Sequence, residues 1–358
     1  MRKAIHYILL LMASSLLVFT GCDVHEFPEK SLKRTPFVLH LNFDTEMPLH
    51  KEIYYTRSED TKDYSESFDI RYIINAYRND GTKSNRRAAD TTFVFTKSDI
   101  NNPNYSAQLE LYEGDYTFYV WSDYVLSGTA DDKYYLTNDF SEIILANQYN
   151  HPGSNDFRDA FKGSVTATVM NPEYYAGEIL ETINNEATVE MLRPMGKYKF
   201  ITTDIDIFIT RVEQMIQQGK LDFYPSEGAD SKPVIDIKDF DIVFKYQLFM
   251  PCSFDMFADG RADSWSGMSF VSTMQKINDT EVQLGFDYLF TDTYESPIGI
   301  YLEVYTKDGK FLSSTDVINV PIMRGKLTIV KGAFLTSKAS GGITINPGFD
   351  DEYNIPID

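Results

Sequence analysis

Most of the chain alternates between apolar and polar residues with a period of two. The clearest run follows Pro36, where every second residue from Phe37 to Phe43 is apolar. Successive side chains of a strand point to opposite faces, so this run predicts a strand with one buried face. The same pattern predicts six further strands in the first half, at residues 68–77, 92–96, 107–112, 116–121, 164–170 and 188–192.

One segment in the middle of the chain has the period of a helix instead. Between Ile205 and Ile216 the apolar residues recur three or four positions apart, which predicts an amphipathic helix over 203–218. Thr203 is the expected N-cap, and Gly219 is placed to end the helix. Strands are predicted again at 240–248, 282–290, 299–305, 311–320 and 326–335, with a hairpin turn at Asp308-Gly309.

These elements predict a mainly β protein with a sandwich-like first domain and a second β-rich domain of similar size that contains one amphipathic helix. The 24 Tyr and 25 Phe residues agree with this, because aromatic side chains favour pleated, half-buried surfaces. We place the first domain at residues 37–185 and the second at 186–358.

The N-terminus has the pattern of a bacterial lipoprotein signal. A basic start at Arg2 and Lys3 precedes a short apolar run, and Gly21-Cys22 follows. We therefore expect residues 1–21 to be a signal peptide, Cys22 to be the lipidated (palmitate-bearing) N-terminus, and the polar residues 22–36 to be a tether. The apolar run is too short to span a bilayer, which needs about 20 residues. The alternative is an ordinary secretory signal with a chance cysteine.

Charge and motifs argue against several functions. With 53 acidic and 33 basic residues, the net charge of −20 makes nucleic acid a poor partner. The histidines show no metal-binding spacing, and no G-x-S-x-G motif is present. Cys252 is expected to be a buried small hydrophobe, and the acidic clusters are expected to be solvated turns. We therefore predict no enzymatic activity, no metal and no cofactor.

Three segments carry a resemblance to a known family. They are Cys22–Pro28 at the mature start, Arg193–Tyr198 at the predicted domain junction, and Val320–Thr336 near the C-terminus. In these segments the chain resembles the FimB-like fimbrial anchor and accessory lipoproteins of Bacteroidales. It departs from the last motif where Gly325-Lys326 follow Arg324.

The resemblance implies two transthyretin-like Greek-key β-sandwich domains on an outer-membrane lipid anchor. It also implies a role in fimbrium assembly and adhesion, with other fimbrial subunits as partners by strand addition and a host protein or glycan as a further partner. Shaft subunits of such families lose an N-terminal strand after cleavage at a basic residue, and Arg34 could be such a site. An anchor that stays on its lipid would instead keep that strand.

Two questions stay open at the level of sequence. The first is whether the chain is a surface glycan-binding lipoprotein instead, with Trp121 or Trp265 stacking on sugar rings. The second concerns the tail Gly341–Asp358, which could complete its own sheet or add a strand to a neighbouring subunit.

Overall fold

A computed structural model describes residues 33–44, 66–79, 89–172, 184–223 and 234–336 of the protein. The strands of the first half are β1 (Arg34–Phe43), β2 (Phe68–Arg78), β3 (Thr91–Lys97), β4 (Tyr105–Tyr112), β5 (Gly114–Leu126), β6 (Tyr135–Leu136), β7 (Ile143–Leu145), β8 (Phe161–Val169) and β9 (Glu186–Met191).

The second half opens with β10 (Met195–Thr202) and the helix α1 (Ile205–Gln217). The strands that follow are β11 (Phe240–Tyr246), β12 (Phe249–Pro251), β13 (Ser253–Asp255), β14 (Gly260–Arg261), β15 (Ser264–Ser266), β16 (Ser269–Thr273), β17 (Gln275–Lys276), β18 (Val282–Phe290), β19 (Ser296–Thr306), β20 (Phe311–Ser314), β21 (Ile318–Ile322) and β22 (Leu327–Gly332).

The first half is a sandwich of two sheets, with strand orders β4-β1-β9 and β3-β2-β5-β8. The apolar faces predicted from the alternation meet between these sheets, where Phe37 of β1 stacks on Phe118 of β5 at a ring-centre distance of 5.4 Å. Strand β1 is antiparallel to β4 and parallel to β9, so the N-terminal strand lies in the middle of its sheet.

The second half repeats this arrangement. One sheet has the order β17-β18-β10-β22, and the other has the order β16-β11-β19-β20, with β21 also paired to β19. Strand β10 is antiparallel to β18 and parallel to β22, just as β1 lies between β4 and β9. The prediction of a mainly β, sandwich-type protein with one helix in the second half is confirmed.

Helix α1 covers one end of the second core with its apolar face. Phe208 is 2% exposed and packs edge-on against Phe240 of β11, with 5.0 Å between ring centres. The N-cap residue is Asp204, so the assignment of the cap to Thr203 was wrong by one position. Gly219 follows the helix with a φ of +66°, a left-handed conformation that glycine adopts without a Cβ clash.

The change from one sandwich to the other comes later in the chain than residue 185. Strand β9 pairs with β1 from Val38 to Phe43, which makes it part of the first sandwich. Strand β10 then begins the second sandwich at Met195. Residues 192–194 therefore connect the two halves, and the border placed at 185/186 cuts off an edge strand of the first sheet.

Candidate functional site

The strand closest to the predicted lipid site is held on both sides. Cys22 lies outside the described residues, and the first described strand is β1, which starts at Arg34. Eight residues of β1 pair with β4 and six pair with β9. A pull on the N-terminal side of β1 would therefore act along a strand that is hydrogen-bonded to two neighbours.

Arg34 is exposed at the very start of this strand. Its guanidinium carbon lies 5.3 Å from the ring centre of Tyr112, directly across the β1–β4 pair. A cut after Arg34 would remove the residues before β1 and leave Thr35–Phe43 joined to the body. Cleavage at Arg34 would thus separate the body from the predicted lipidation site but would not open a groove in the first sheet.

At the other end of the described chain, the buried carboxylate of Asp204 fixes Thr336. It accepts hydrogen bonds from the backbone N–H of Thr336 at 2.8 Å and from its hydroxyl at 2.7 Å. The backbone N–H of Leu335 and the hydroxyl of Thr202 also donate to it. Asp204 makes no side-chain cap to its own helix. Its carboxylate instead sets the point from which residues 337–358 continue, and the tail Gly341–Asp358 itself lies outside the described residues.

We expect Asp204→Ala to lower the free energy of unfolding by about 2 kcal/mol, because the buried N–H of Leu335 and the half-buried donors of Thr336 lose their acceptor. Urea unfolding followed by tryptophan fluorescence measures this change. Asp206→Ala is the matched control, since Asp206 is exposed in the first turn of the same helix. Equal unfolding midpoints for the two variants would show that the Asp204 contacts add no stability.

A short turn of the first half makes three ion pairs with the second half. The partners lie just before β10, in β10 and in β18. Asp156, Arg158 and Asp159 belong to this turn. Lys197 of β10 contacts Asp156 at 3.1 Å, and Arg193 contacts Asp159 at 2.9 Å. Arg158 is 1% exposed and is paired with Asp287 of β18, which is equally buried. The first half therefore covers the Lys197 side of the β10–β18 pair, and Arg158 reaches Asp287, which lies opposite Tyr198 on the other face.

Asp287 is the centre of the most enclosed of these contacts. Besides the Arg158 guanidinium, it accepts hydrogen bonds from the Tyr246 hydroxyl at 2.6 Å and from the backbone N–H of Tyr288 at 2.8 Å. The imidazole Nε2 of His151 lies 2.5 Å from the same carboxylate. Burial and the nearby Arg158 charge hold the pKa of His151 well below its usual value, so the neutral ring donates this bond.

The Asp287 cluster connects the two halves. His151 and Arg158 come from the first half, whereas Asp287 and Tyr246 come from the second. All four side chains are buried, so no substrate can reach the His151–Asp287 pair in this arrangement. Among the residues that the structure describes, no group of three or more His, Cys, Asp or Glu side chains could hold a metal ion.

The second half also reaches back to the first. Strands β12 to β15 form a bent ribbon whose tip places Phe257 against Tyr77 and Tyr119, with ring centres 5.7 and 4.9 Å away. At the base of the tip, Ser253 and Phe254 of β13 pair with Ile144 and Ile143 of β7, so one small sheet contains strands from both halves. Each half thus extends a segment over the other.

The structure places the remaining residues singled out by sequence as follows. Trp121 is fully buried and packs on Tyr135 and Phe290, so its proposed role as a sugar platform was wrong. Trp265 is half-buried against the second core. Cys252 is buried, as predicted, and burial raises the pKa of its thiol to about 12. Sequence reasoning missed Arg158 and Asp287, although a lone acid inside the apolar run of β18 was a signal for a buried ion pair.

One family profile matches most of the chain. Residues 34–358 match the profile of DUF6562, described as a family of unknown function. No curated protein matches the sequence. Within the described residues, no helix is long and apolar enough to span a membrane.

The solved structures similar to this chain include fimbrial and adhesion proteins. The fimbrial anchor protein Mfa2 from Porphyromonas gingivalis is 12% identical over 79% of this chain and 82% of its own, with a TM-score of 0.37. A fimbrial assembly protein from Parabacteroides distasonis is 11% identical over 90% and 99%, with a TM-score of 0.37. A candidate cell adhesion protein from Bacteroides ovatus is 12% identical over 86% and 96%, with a TM-score of 0.40. Since the family profile covers most of its length, the chain belongs to the DUF6562 family.

Proposed function

We propose that this protein is a non-enzymatic, FimB-like fimbrial anchor or accessory subunit, held on the outer membrane by lipid on Cys22. In this role it joins other fimbrial subunits by strand addition and takes part in adhesion. The lipoprotein signal at Gly21-Cys22 and the three family-like segments of the sequence support the proposal.

One structural observation supports the proposed anchoring role. The central strand of the first sheet, β1, begins only twelve positions after Cys22. A fully extended tether of this length reaches at most about 40 Å, so the body would stay close to the membrane surface. Because β1 is hydrogen-bonded along both edges, a load between the fibre and the lipid would be shared by two strand pairs rather than by a chain end.

The anchoring step is tested with Cys22→Ala in cells labelled with palmitate. We expect the variant to lose the label and to leave the membrane fraction, because the acyl chains supply the membrane affinity. Cys252→Ala is the matched control, since the buried Cys252 cannot accept lipid, and it should keep both label and membrane location. A Cys22→Ala protein that stays labelled and membrane-bound would show that Cys22 is not the anchor.

The fimbrial role is tested by deleting the gene and examining the surface filaments by electron microscopy. We expect filaments to be lost or shed into the medium, and the wild-type gene to restore them. Complementation with Cys22→Ala should give shed filaments only. A deletion strain with attached filaments of normal number and length would contradict the proposed role.

A further inference from the structure

One sheet face of the second sandwich carries aromatic rings that no other part of the described protein covers. This outer tyrosine face belongs to the sheet β16-β11-β19-β20 and includes Lys245, Val271, Tyr301, Glu303, Tyr305 and Phe311. Tyr301 and Tyr305 are half-buried, and Phe311 and Val271 are more than half exposed at 55% and 59%. The opposite side of the same strands, including Leu302 and Val304, is buried in the core.

The strand register lines these side chains up across the sheet. Lys245 of β11 lies opposite Tyr301 of β19, and Tyr305 lies opposite Phe311 of β20. The Tyr305 and Phe311 rings meet edge-on at 5.6 Å. Tyr301 and Tyr305 are four residues apart on one strand, which separates them by about 13 Å along the same face. A surface with rings at this spacing suits an extended ligand better than a small compact one.

The other sheet faces of the protein differ in this respect. The outer side of β2 and β5 is covered by the second half, where Trp121 is fully buried. The outer side of the β4-β1-β9 sheet carries His40, Ser106 and Gln108 at its centre, and these side chains are polar. The aromatic rings of the outer tyrosine face are therefore not a general feature of the exposed sheets of this protein.

The charges on this face are paired. Lys245 contacts Glu303 at 2.6 Å, and the Tyr305 hydroxyl donates to the same carboxylate at 2.7 Å. At the rim, Lys307 contacts Asp241 at 2.5 Å. The positive and negative charges on this face therefore balance each other. The protein as a whole has a net charge of −20 and would repel an acidic polymer.

These charges also argue against a buried protein contact. Lys and Glu are depleted at the centres of protein interfaces, and burying their pair carries a desolvation penalty. A polyhydroxylated ligand avoids this penalty, because its hydroxyl groups can donate to Glu303 and accept from Lys245 while the two remain paired. The C–H faces of sugar rings can at the same time pack on tyrosine rings, which present an apolar surface with a polar tip.

We propose that the outer tyrosine face binds an extended, uncharged polysaccharide. Tyr301 and Tyr305 supply the stacking surfaces, and the Lys245–Glu303 pair supplies the hydrogen bonds between them. This site does not depend on the fimbrial role, because binding is a property of the purified chain alone.

The test is affinity electrophoresis of the mature full-length chain through gels that contain a galactomannan, a xyloglucan, an arabinan or, for comparison, the acidic polygalacturonate. We expect retardation in at least one neutral polysaccharide and none in polygalacturonate. Tyr301→Ala and Tyr305→Ala should each weaken that binding about tenfold, while Tyr305→Phe, which keeps the ring, should retain most of it. Tyr149→Ala is the matched control, because Tyr149 is 98% exposed in a loop outside the strands of this face and should bind like the wild type.

Melting curves of each variant verify that the fold is intact, which is expected since both tyrosines lie outside the core. The proposal is overturned if no neutral polysaccharide retards the wild type, or if both alanine variants bind as the wild type does. Light scattering at several protein concentrations tests whether a second copy of the chain occupies this face instead. A dimer that the alanine variants disrupt, without polysaccharide binding, would make the face a contact between copies and would also overturn the proposal.

Discussion

Phe208→Asp is expected to prevent stable folding of the second half. The substitution removes a ring that packs on Phe240 and puts a carboxylate in a site that is 2% exposed. Losing a buried Phe side chain alone costs about 3 to 5 kcal/mol, and an unpaired buried charge adds to this. The sum approaches the 5 to 15 kcal/mol by which domains are typically stable. Circular dichroism and thermal melts of the mature protein measure the effect.

The neighbouring residue supplies the control for this experiment. Ile207 points to solvent about 100° further round helix α1 and is 64% exposed, so Ile207→Asp should melt close to the wild type. Both variants add the same charge to the same turn of the helix. A Phe208→Asp protein that melts with the Ile207→Asp protein would mean that the helix face is not part of the core.

Asp287→Asn is expected to lower the free energy of unfolding by about 3 to 5 kcal/mol. The substitution keeps the shape of the side chain but leaves the buried Arg158 guanidinium without its carboxylate partner. The two halves should lose a fully buried ion pair as a result. Urea unfolding monitored by tryptophan fluorescence measures the change, because Trp121 lies at the same boundary between the halves.

A double-mutant cycle separates the charge effect from the packing effect. Combining Asp287→Asn with Arg158→Met removes both charges, so the double variant should be more stable than the sum of the two single losses implies. Asp279→Asn serves as the surface control, since its partner Lys276 and Asp279 itself are exposed, and its urea midpoint should not change. Additive losses in the cycle would show that the Arg158–Asp287 contact carries no coupling energy.

The strands that sequence predicted best have one face in a core and the other in solvent. Strand β18 is buried on both faces but is still predicted correctly, because its apolar run is long. The predicted and observed bounds are both 282–290. Strand β10 was missed. Its two lysines, Lys197 and Lys199, break the apolar pattern, yet all eight residues are buried because the first half covers the lysine-bearing side. The contact between β10 and the first half is visible only in the tertiary structure.

The short strands β12 to β17 were missed for a local reason. Each has two to five residues, too few for a period to emerge. The ribbon bends where Gly267 and Asp259 have positive φ angles of 70° and 52°, and such bends interrupt the alternation. Their placement depends on contacts with β7 and with the rings of the first half, which no local pattern encodes.

The Asp287 cluster could not be predicted from the sequence. His151 and Asp287 are 136 residues apart, and neither has a partner close in sequence that would identify its role. The position of Arg34 illustrates the reverse case. Sequence offered it as a processing site, but only the start of β1 at this residue shows that a cut there leaves the strand in place.

The way each half covers the other has a consequence for the order of folding when the exported chain emerges with its N-terminus first. The first sandwich has all its strands once Met191 has emerged, but Trp121 then lacks Phe290, which comes 99 residues later. The apolar side of the first half therefore stays uncovered until Phe290 has also emerged. During that interval the nascent protein resembles an aggregation-prone intermediate, so its yield should depend on chaperones that hold the first half until the second half is complete.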